Sequence, residues 1–162
     1  MLRFEEKTDS NNKPQSTVTL PRDQREKSRL KVTLSDGREA GLFFEKGISF
    51  QDGDLIISDD GEVLVEVKAA DESVSTVYCD DPLQLARACY HLGNRHIPLQ
   101  INKGVLRYQH DHVLDGMVRG LGLEVITEQA PFEPESGAYA VGSHSGGGHH
   151  HHGHEHNHDH DH

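Results

Sequence analysis

In the first half of the chain, hydrophobic and polar residues alternate in short runs that end at turn residues. This pattern extends from about residue 16 to residue 70, with Asp- and Gly-containing turns at residues 35–38 and 59–61. A period of two is that of a β-strand with one buried face, and such turns join neighbouring strands. No segment here has the period of a helix. The sequence therefore predicts a small β domain over residues 1–70. The alternating positions are Leu30, Val32, Leu34, Val63, Val65 and Val67.

From about residue 71 the pattern alternates between strands and helices. Asp81 and Pro82 provide a cap and a proline start for a helix that stops at Gly93, and Asp111 can cap a second helix. Strands are predicted around these helices, which gives the order βαββαβ of a ferredoxin-like domain. The predicted fold is therefore α+β, with a ferredoxin-like domain over residues 71–142. The predicted strands are residues 74–79, 97–101, 105–109 and 125–127.

The last segment, residues 143–162, is of low complexity and holds ten of the fourteen histidines. Its composition buries too little apolar area to offset its ordering entropy, which predicts a disordered tail. Neutral imidazole is the commonest protein ligand for borderline divalent ions, so we expect the tail to bind Ni²⁺, with Cu²⁺ and Zn²⁺ able to use the same donors. The alternative is an engineered purification tag, against which the irregular spacing of the histidines argues. The histidines are His144, His149, His150, His151, His152, His154, His156, His158, His160 and His162.

Charge and motifs restrict the function further. Of the formal charge of −11, the tail carries −3, so the rest carries −8, which argues against nucleic acid and anionic membranes as partners. The chain begins without an apolar leader, and Cys79 and Cys89 lack the CxxC spacing, which predicts a cytoplasmic protein with reduced thiols. No nucleotide-binding or hydrolase motif occurs, so we predict that the chain is not an enzyme.

Three histidines outside the tail are candidate metal ligands. Alternation with Ile97 predicts that His96 lies on the opposite face of a strand. Alone it cannot hold nickel, but it could do so if a two-fold axis placed it beside its own copy. His110 and His112 are two residues apart, and in an extended segment they would point the same way. For His96, the alternative is an ordinary surface histidine. For His110 and His112, the alternative is that Asp111 only caps its helix and the two histidines are solvated.

Two segments resemble a known family. Residues 91–100 (His-Leu-Gly-Asn-Arg-His-Ile-Pro-Leu-Gln) and residues 108–114 (Tyr-Gln-His-Asp-His-Val-Leu) are similar to the urease accessory metallochaperones of the UreE family, and the Gly-Asn-Arg-His stretch is the most specific part. The resemblance implies a nickel-binding homodimer that delivers Ni²⁺ for assembly of the urease active site. It also implies that His96 meets its counterpart at the dimer interface and that a peripheral site lies at His110 and His112.

The resemblance further implies partners for each part of the chain. The first domain resembles a peptide-binding module that would face the urease accessory GTPase and, through it, the apo-urease complex. Two hypotheses remain open: delivery of nickel, and a histidine-rich buffer that stores metal without a specific target. Both predict nickel binding, so only transfer to a recipient separates them.

Overall fold

The structure is a computed structural model of the chain, and it describes residues 1–136. These residues form two β-sheets that follow one another along the chain. The first sheet has six strands and a short helix, and the second has four strands and two helices. The mixed α+β class predicted from the sequence is thus confirmed. The elements are β1 (Leu2–Thr8), β2 (Ser16–Leu20), α1 (Arg22–Arg25), β3 (Arg29–Thr33), β4 (Glu39–Phe43), β5 (Leu55–Ser58), β6 (Leu64–Ala69), β7 (Asp71–Tyr78), α2 (Pro82–Gly93), β8 (Gln100–Asn102), β9 (Val105–Gln109), α3 (His112–Gly120) and β10 (Ile126–Pro131).

The first sheet has the strand order β2-β6-β5-β1-β4-β3 and encloses its own hydrophobic core. Strand β1 lies near the middle of the sheet, parallel to β4 and antiparallel to β5, although the sequence pattern did not predict it. The prediction that this region contains no helix was also wrong. Helix α1 is a single turn that follows Pro21, and four residues are too short to give a helical period.

The second sheet has the order β10-β7-β9-β8, and every neighbouring pair is antiparallel. Helices α2 and α3 cover one face, because apolar residues of both helices and of β7 and β9 share one core. The predicted caps are confirmed: the Asp81 side chain accepts a hydrogen bond from the Leu83 amide, and Asp111 caps α3 in the same way. Strand β8 is shorter than predicted and β10 is longer.

A buried arginine joins the two sheets. Arg25 is 2% exposed, and its Nη1 donates a hydrogen bond of 2.8 Å to the carbonyl of Leu20. Its Nη2 donates to the carbonyl of Phe132, which follows β10. Nearby, the amide of Asp52 donates to the Glu133 carboxylate at 2.6 Å. The end of the second sheet is therefore hydrogen-bonded to the first domain.

Within residues 1–136, no helix is both long enough and apolar enough to cross a membrane.

Candidate metal-binding site

His110 lies where β9 meets α3. The side chains of Leu106 and Tyr108 point from β9 into the core under the helices, and His110 is the next residue of this alternating series. Its amide donates a hydrogen bond of 3.1 Å to the carbonyl of Ser73, which extends the pairing of β9 with β7 by one residue. Strand geometry therefore directs the His110 ring toward the start of α3.

A buried carboxylate contacts this ring. Asp115 lies in the first turn of α3, where an acidic side chain is favoured by the helix dipole, and it is 2% exposed. Its Oδ2 is 3.3 Å from Nδ1 of His110, and its Oδ1 accepts a hydrogen bond of 2.6 Å from the Tyr108 hydroxyl. The Ser75 hydroxyl is 3.2 Å from the same Nδ1. Two polar groups thus lie beside Nδ1 of the imidazole, and the Tyr108 hydroxyl holds one of them, the Asp115 carboxylate. The His110 side chain as a whole is 41% exposed.

Burial sets the protonation of the phenol in this cluster. Loss of solvation raises the pKa of Tyr108 above its usual value, and the hydrogen bond to Asp115 and the negative charge of that carboxylate raise it further. A hydrogen bond involving Ser75 opposes the shift. The Tyr108 hydroxyl therefore keeps its proton at neutral pH and donates it to Asp115.

His112 is the first residue of α3 and is exposed. Between the two histidines, Asp111 has an extended backbone (φ −147°, ψ 118°), and its side chain accepts hydrogen bonds from the amides of Val113 and Leu114 at 2.9 and 3.0 Å. The extended residue agrees with the expectation that His110 and His112 point to the same side. The role of Asp111 as a cap is confirmed, and joint binding of an ion by His110 and His112 stays a prediction.

His96 does not lie on a strand, so that part of the sequence interpretation was wrong. It ends the turn that follows α2, is exposed, and has a φ of 56°. Its amide donates to the carbonyl of Gly93 at 3.0 Å. The cap of α2, Asn94, is right-handed, and the left-handed residue comes two positions later, where the chain turns from α2 toward β8. The alternation from Ile97 to Ile101 therefore resembled a strand that begins only at Gln100.

The three ordered histidines do not gather a complete ligand set by themselves. Within residues 1–136, no group of three or more His, Cys, Asp or Glu side chains is placed to hold one metal ion. All ten tail histidines, from His144 to His162, lie outside the described residues. The structure thus fixes the surroundings of His96, His110 and His112 and leaves the assignment of all thirteen residues as ligands a prediction.

Sequence reasoning missed the groups that hold His110. Ser75, Tyr108 and Asp115 come from β7, β9 and α3, and only the pairing of Ser75 with Tyr108 across the sheet brings them together. One signal was available: Asp115 follows Leu114 and precedes Val118 by three positions, so it falls on the apolar stripe of α3. An acidic residue at such a position needs a polar partner.

Comparison with known proteins identifies the family. The chain matches the family model of the UreE urease accessory protein N-terminal domain over residues 3–70 and that of its C-terminal domain over residues 72–162. The chain belongs to this family. It is therefore an accessory protein and not an enzyme, as its lack of catalytic motifs predicted.

Close relatives share most of their length with the chain. A "Urease accessory protein UreE" of Pseudomonas putida (strain W619) is 59% identical over 145 residues, or 90% of each chain. One of Escherichia coli O157:H7 is 58% identical over 130 residues, covering 80% of this chain and 84% of the relative. One of Proteus mirabilis (strain HI4320) is 58% identical over 130 residues, or 80% of each.

Proposed function

We propose that this protein is a nickel-binding metallochaperone that delivers Ni²⁺ during assembly of the urease active site. The observation that carries the proposal is the pair His110 and His112 at the start of α3. Ser75 and Asp115 lie beside Nδ1 of His110, so Nε2 of the same ring is the nitrogen that can bind an ion. Membership of a family of urease accessory proteins supplies the recipient. Imidazole suits Ni²⁺, and it also accepts Zn²⁺ and Cu²⁺.

Two imidazoles are too few for nickel, which usually takes four to six donors. The further donors in this proposal are His96, its copy in a homodimer, and the tail histidines. Exposure of His96 in the turn after α2 supports such a contact, as does exposure of Tyr90, which lies in the last turn of α2 and is 67% accessible. An ion held between two chains and a tail can be released when any one of them withdraws, as delivery requires.

The fold proposed for the second domain is the ferredoxin-like one. The order βαββαβ and the antiparallel sheet β10-β7-β9-β8 support it, because the first and third strands of the domain then lie at the centre. We propose domains at residues 1–70 and 71–142, with a separate tail at residues 143–162. The first domain would face the urease accessory GTPase and apo-urease in the cytoplasm.

Delivery is tested by following transfer. Purified full-length protein loaded with Ni²⁺ is mixed with the accessory GTPase and apo-urease, and urease activity is followed over time beside an equal amount of free Ni²⁺. Delivery predicts faster activation by the loaded protein and a complex with the GTPase. A storage protein would slow activation below that of the free ion, which would contradict the proposal.

Variants assign the sites. His96→Ala should lower both nickel binding and activation, whereas His91→Ala, which removes an exposed histidine of α2, is the matched control and should change neither. Deletion of residues 144–162 should lower the number of ions bound and leave activation mostly intact. If His96→Ala behaves like His91→Ala in both assays, His96 is not part of the delivery site.

A further inference from the structure

The polar cluster beside His110 consists of buried side chains, although His110 itself is partly exposed. Ser75 and Tyr108 are 0% exposed and Asp115 is 2% exposed. Ser75 and Asp115 each place an oxygen within 3.3 Å of Nδ1 of the partly exposed His110, and Tyr108 donates a hydrogen bond to Asp115. Burial of polar groups is costly unless their hydrogen bonds are made. Within the described residues, no buried side-chain nitrogen or oxygen lacks a partner, so the cluster is fully satisfied.

The Ser75 hydroxyl can accept from Nδ1 of His110 or donate to it, according to the tautomer, and the charge of Asp115 favours the arrangement in which it accepts. The Tyr108 hydroxyl donates to Oδ1 of Asp115 at 2.6 Å, and a carboxylate accepts hydrogen bonds and donates none. Oδ2 of the same carboxylate lies 3.3 Å from Nδ1 of His110, where its negative charge favours a proton on that nitrogen. A neutral imidazole carries its proton on one nitrogen only, so Nδ1–H beside Asp115 leaves the lone pair on Nε2.

We propose that Asp115 is a positioning residue for nickel binding: it holds the His110 ring as the Nδ1–H tautomer and presents Nε2 to the ion. Tyr108 fixes the carboxylate, and Ser75 limits rotation of the ring. Ligand histidines in metal sites commonly donate their second N–H to a carboxylate in this way, and loss of that partner weakens metal binding about 10- to 100-fold. The part of this inference that concerns the metal rests on the proposed function, while the tautomer does not.

His112 offers a comparison within the same site. It is exposed at the first position of α3 and has no hydrogen bond to a buried acid within residues 1–136. His110 would therefore be the preorganised ligand of the pair, whereas the His112 side chain would lose its conformational freedom only when the ion binds. The two residues are expected to differ in the metal-free protein.

The first experiment reads the tautomer without metal. Long-range ¹H–¹⁵N NMR spectra of the full-length protein are recorded at about pH 8.5, above the ordinary imidazole pKa of ~6.5. The His110 signals are assigned by their loss in His110→Gln. We expect a protonated Nδ1 and an unprotonated Nε2. If the proton is on Nε2 instead, the inference is overturned whether or not the protein binds nickel.

The second experiment removes the acceptor. Asp115→Asn keeps the shape but places an amide N–H beside the ring, and the same change beside the histidine of a serine protease triad reverses the tautomer. We expect the His110 proton to move to Nε2. Asp81→Asn alters the cap of α2, and among residues 1–136 its side chain has no hydrogen bond or ion pair with a histidine. It is the matched control and should leave the His110 spectrum unchanged.

The third experiment adds Ni²⁺ alone to these full-length variants. Paramagnetic broadening of the His110 ring is compared with that of the tail histidines in the same sample, which serve as an internal competitor. In Asp115→Asn, His110 should broaden only at about 10- to 100-fold higher free Ni²⁺ relative to the tail. If His110 broadens at the same free Ni²⁺ relative to the tail in Asp115→Asn as in the unaltered protein, the inference is refuted. If His110 of the unaltered protein never broadens, the proposed function fails instead.

Tyr108→Phe separates positioning from simple packing. It removes the hydroxyl that holds Asp115 and keeps the carboxylate, so we expect the His110 proton to remain on Nδ1 and nickel binding to weaken less than in Asp115→Asn. This variant also serves if Asp115→Asn does not fold. Loss of the Nδ1 proton in Tyr108→Phe but not in Asp115→Asn would reject a role for the carboxylate.

Discussion

Backbone strain at His96 can be measured directly. His96 has a φ of 56°, in the left-handed region, and is the one non-glycine residue with positive φ in residues 1–136. For an L-residue this conformation costs about 1–2 kcal/mol, which glycine avoids. Glycine also has more conformational freedom in the unfolded chain, which lowers the free energy of unfolding by roughly 0.5–1 kcal/mol relative to Ala. Replacement of His96 by Gly should therefore give a protein about 0.5–1 kcal/mol more stable than replacement by Ala.

The Gly and Ala variants are a matched pair because both lack the imidazole and residue 96 is exposed. Unfolding of the metal-free proteins in urea measures the difference, and for a chain of this size it corresponds to a rise of about 1–4 °C in Tm. Both variants should bind nickel equally poorly at this position. Equal stability of the two variants would show that residue 96 is not held in the left-handed region. A more stable Ala variant would have the same meaning.

Three further predictions concern the groups that hold the fold. Arg25→Met keeps the buried stem but leaves the carbonyls of Leu20 and Phe132 without their donor, so urea unfolding should show a loss of about 2–3 kcal/mol; a loss under 0.5 kcal/mol would contradict the role of this arginine. Asp111→Ala should cost about 1 kcal/mol by the same assay, while Asp111→Asn, which can still cap α3, should cost much less. The pKa of Tyr108 is raised in the folded state, so the protonated phenol stabilises the fold fully below the unfolded-state pKa of ~10. This contribution to the free energy of unfolding is lost as pH rises above that pKa. An alkaline absorbance titration should therefore show one of the four tyrosines ionising late, and this step should be absent in Tyr108→Phe.

The sequence predicted best those elements whose signals are local. Helices α2 and α3 were located from Asp81, Pro82 and Asp111, because a cap and the apolar stripe that follows it lie within a few residues. Strands β3 to β7 and β9 followed from alternation and turn residues. Strand β1 was missed because its exposed charged residues mask the single fully buried position, Phe4.

The surroundings of the candidate ligands were harder to predict. His96 was assigned to a strand because the apolar residues after it alternate, and only the three-dimensional path out of α2 shows that it is part of a turn. The partners of His110 come from positions up to 35 residues away along the chain, and strand pairing decides which of them meet. Local patterns thus indicated which histidines to consider, and tertiary structure supplied the groups that orient them.

The turn at His96 has a consequence for the edge of the second sheet. Because residues 94–99 are used to leave α2, the outermost strand β8 retains only Gln100–Asn102. Three residues present very few free backbone groups, and short edge strands are one means by which proteins prevent strand-to-strand aggregation. A strand of another chain that paired with this edge would therefore gain few backbone hydrogen bonds.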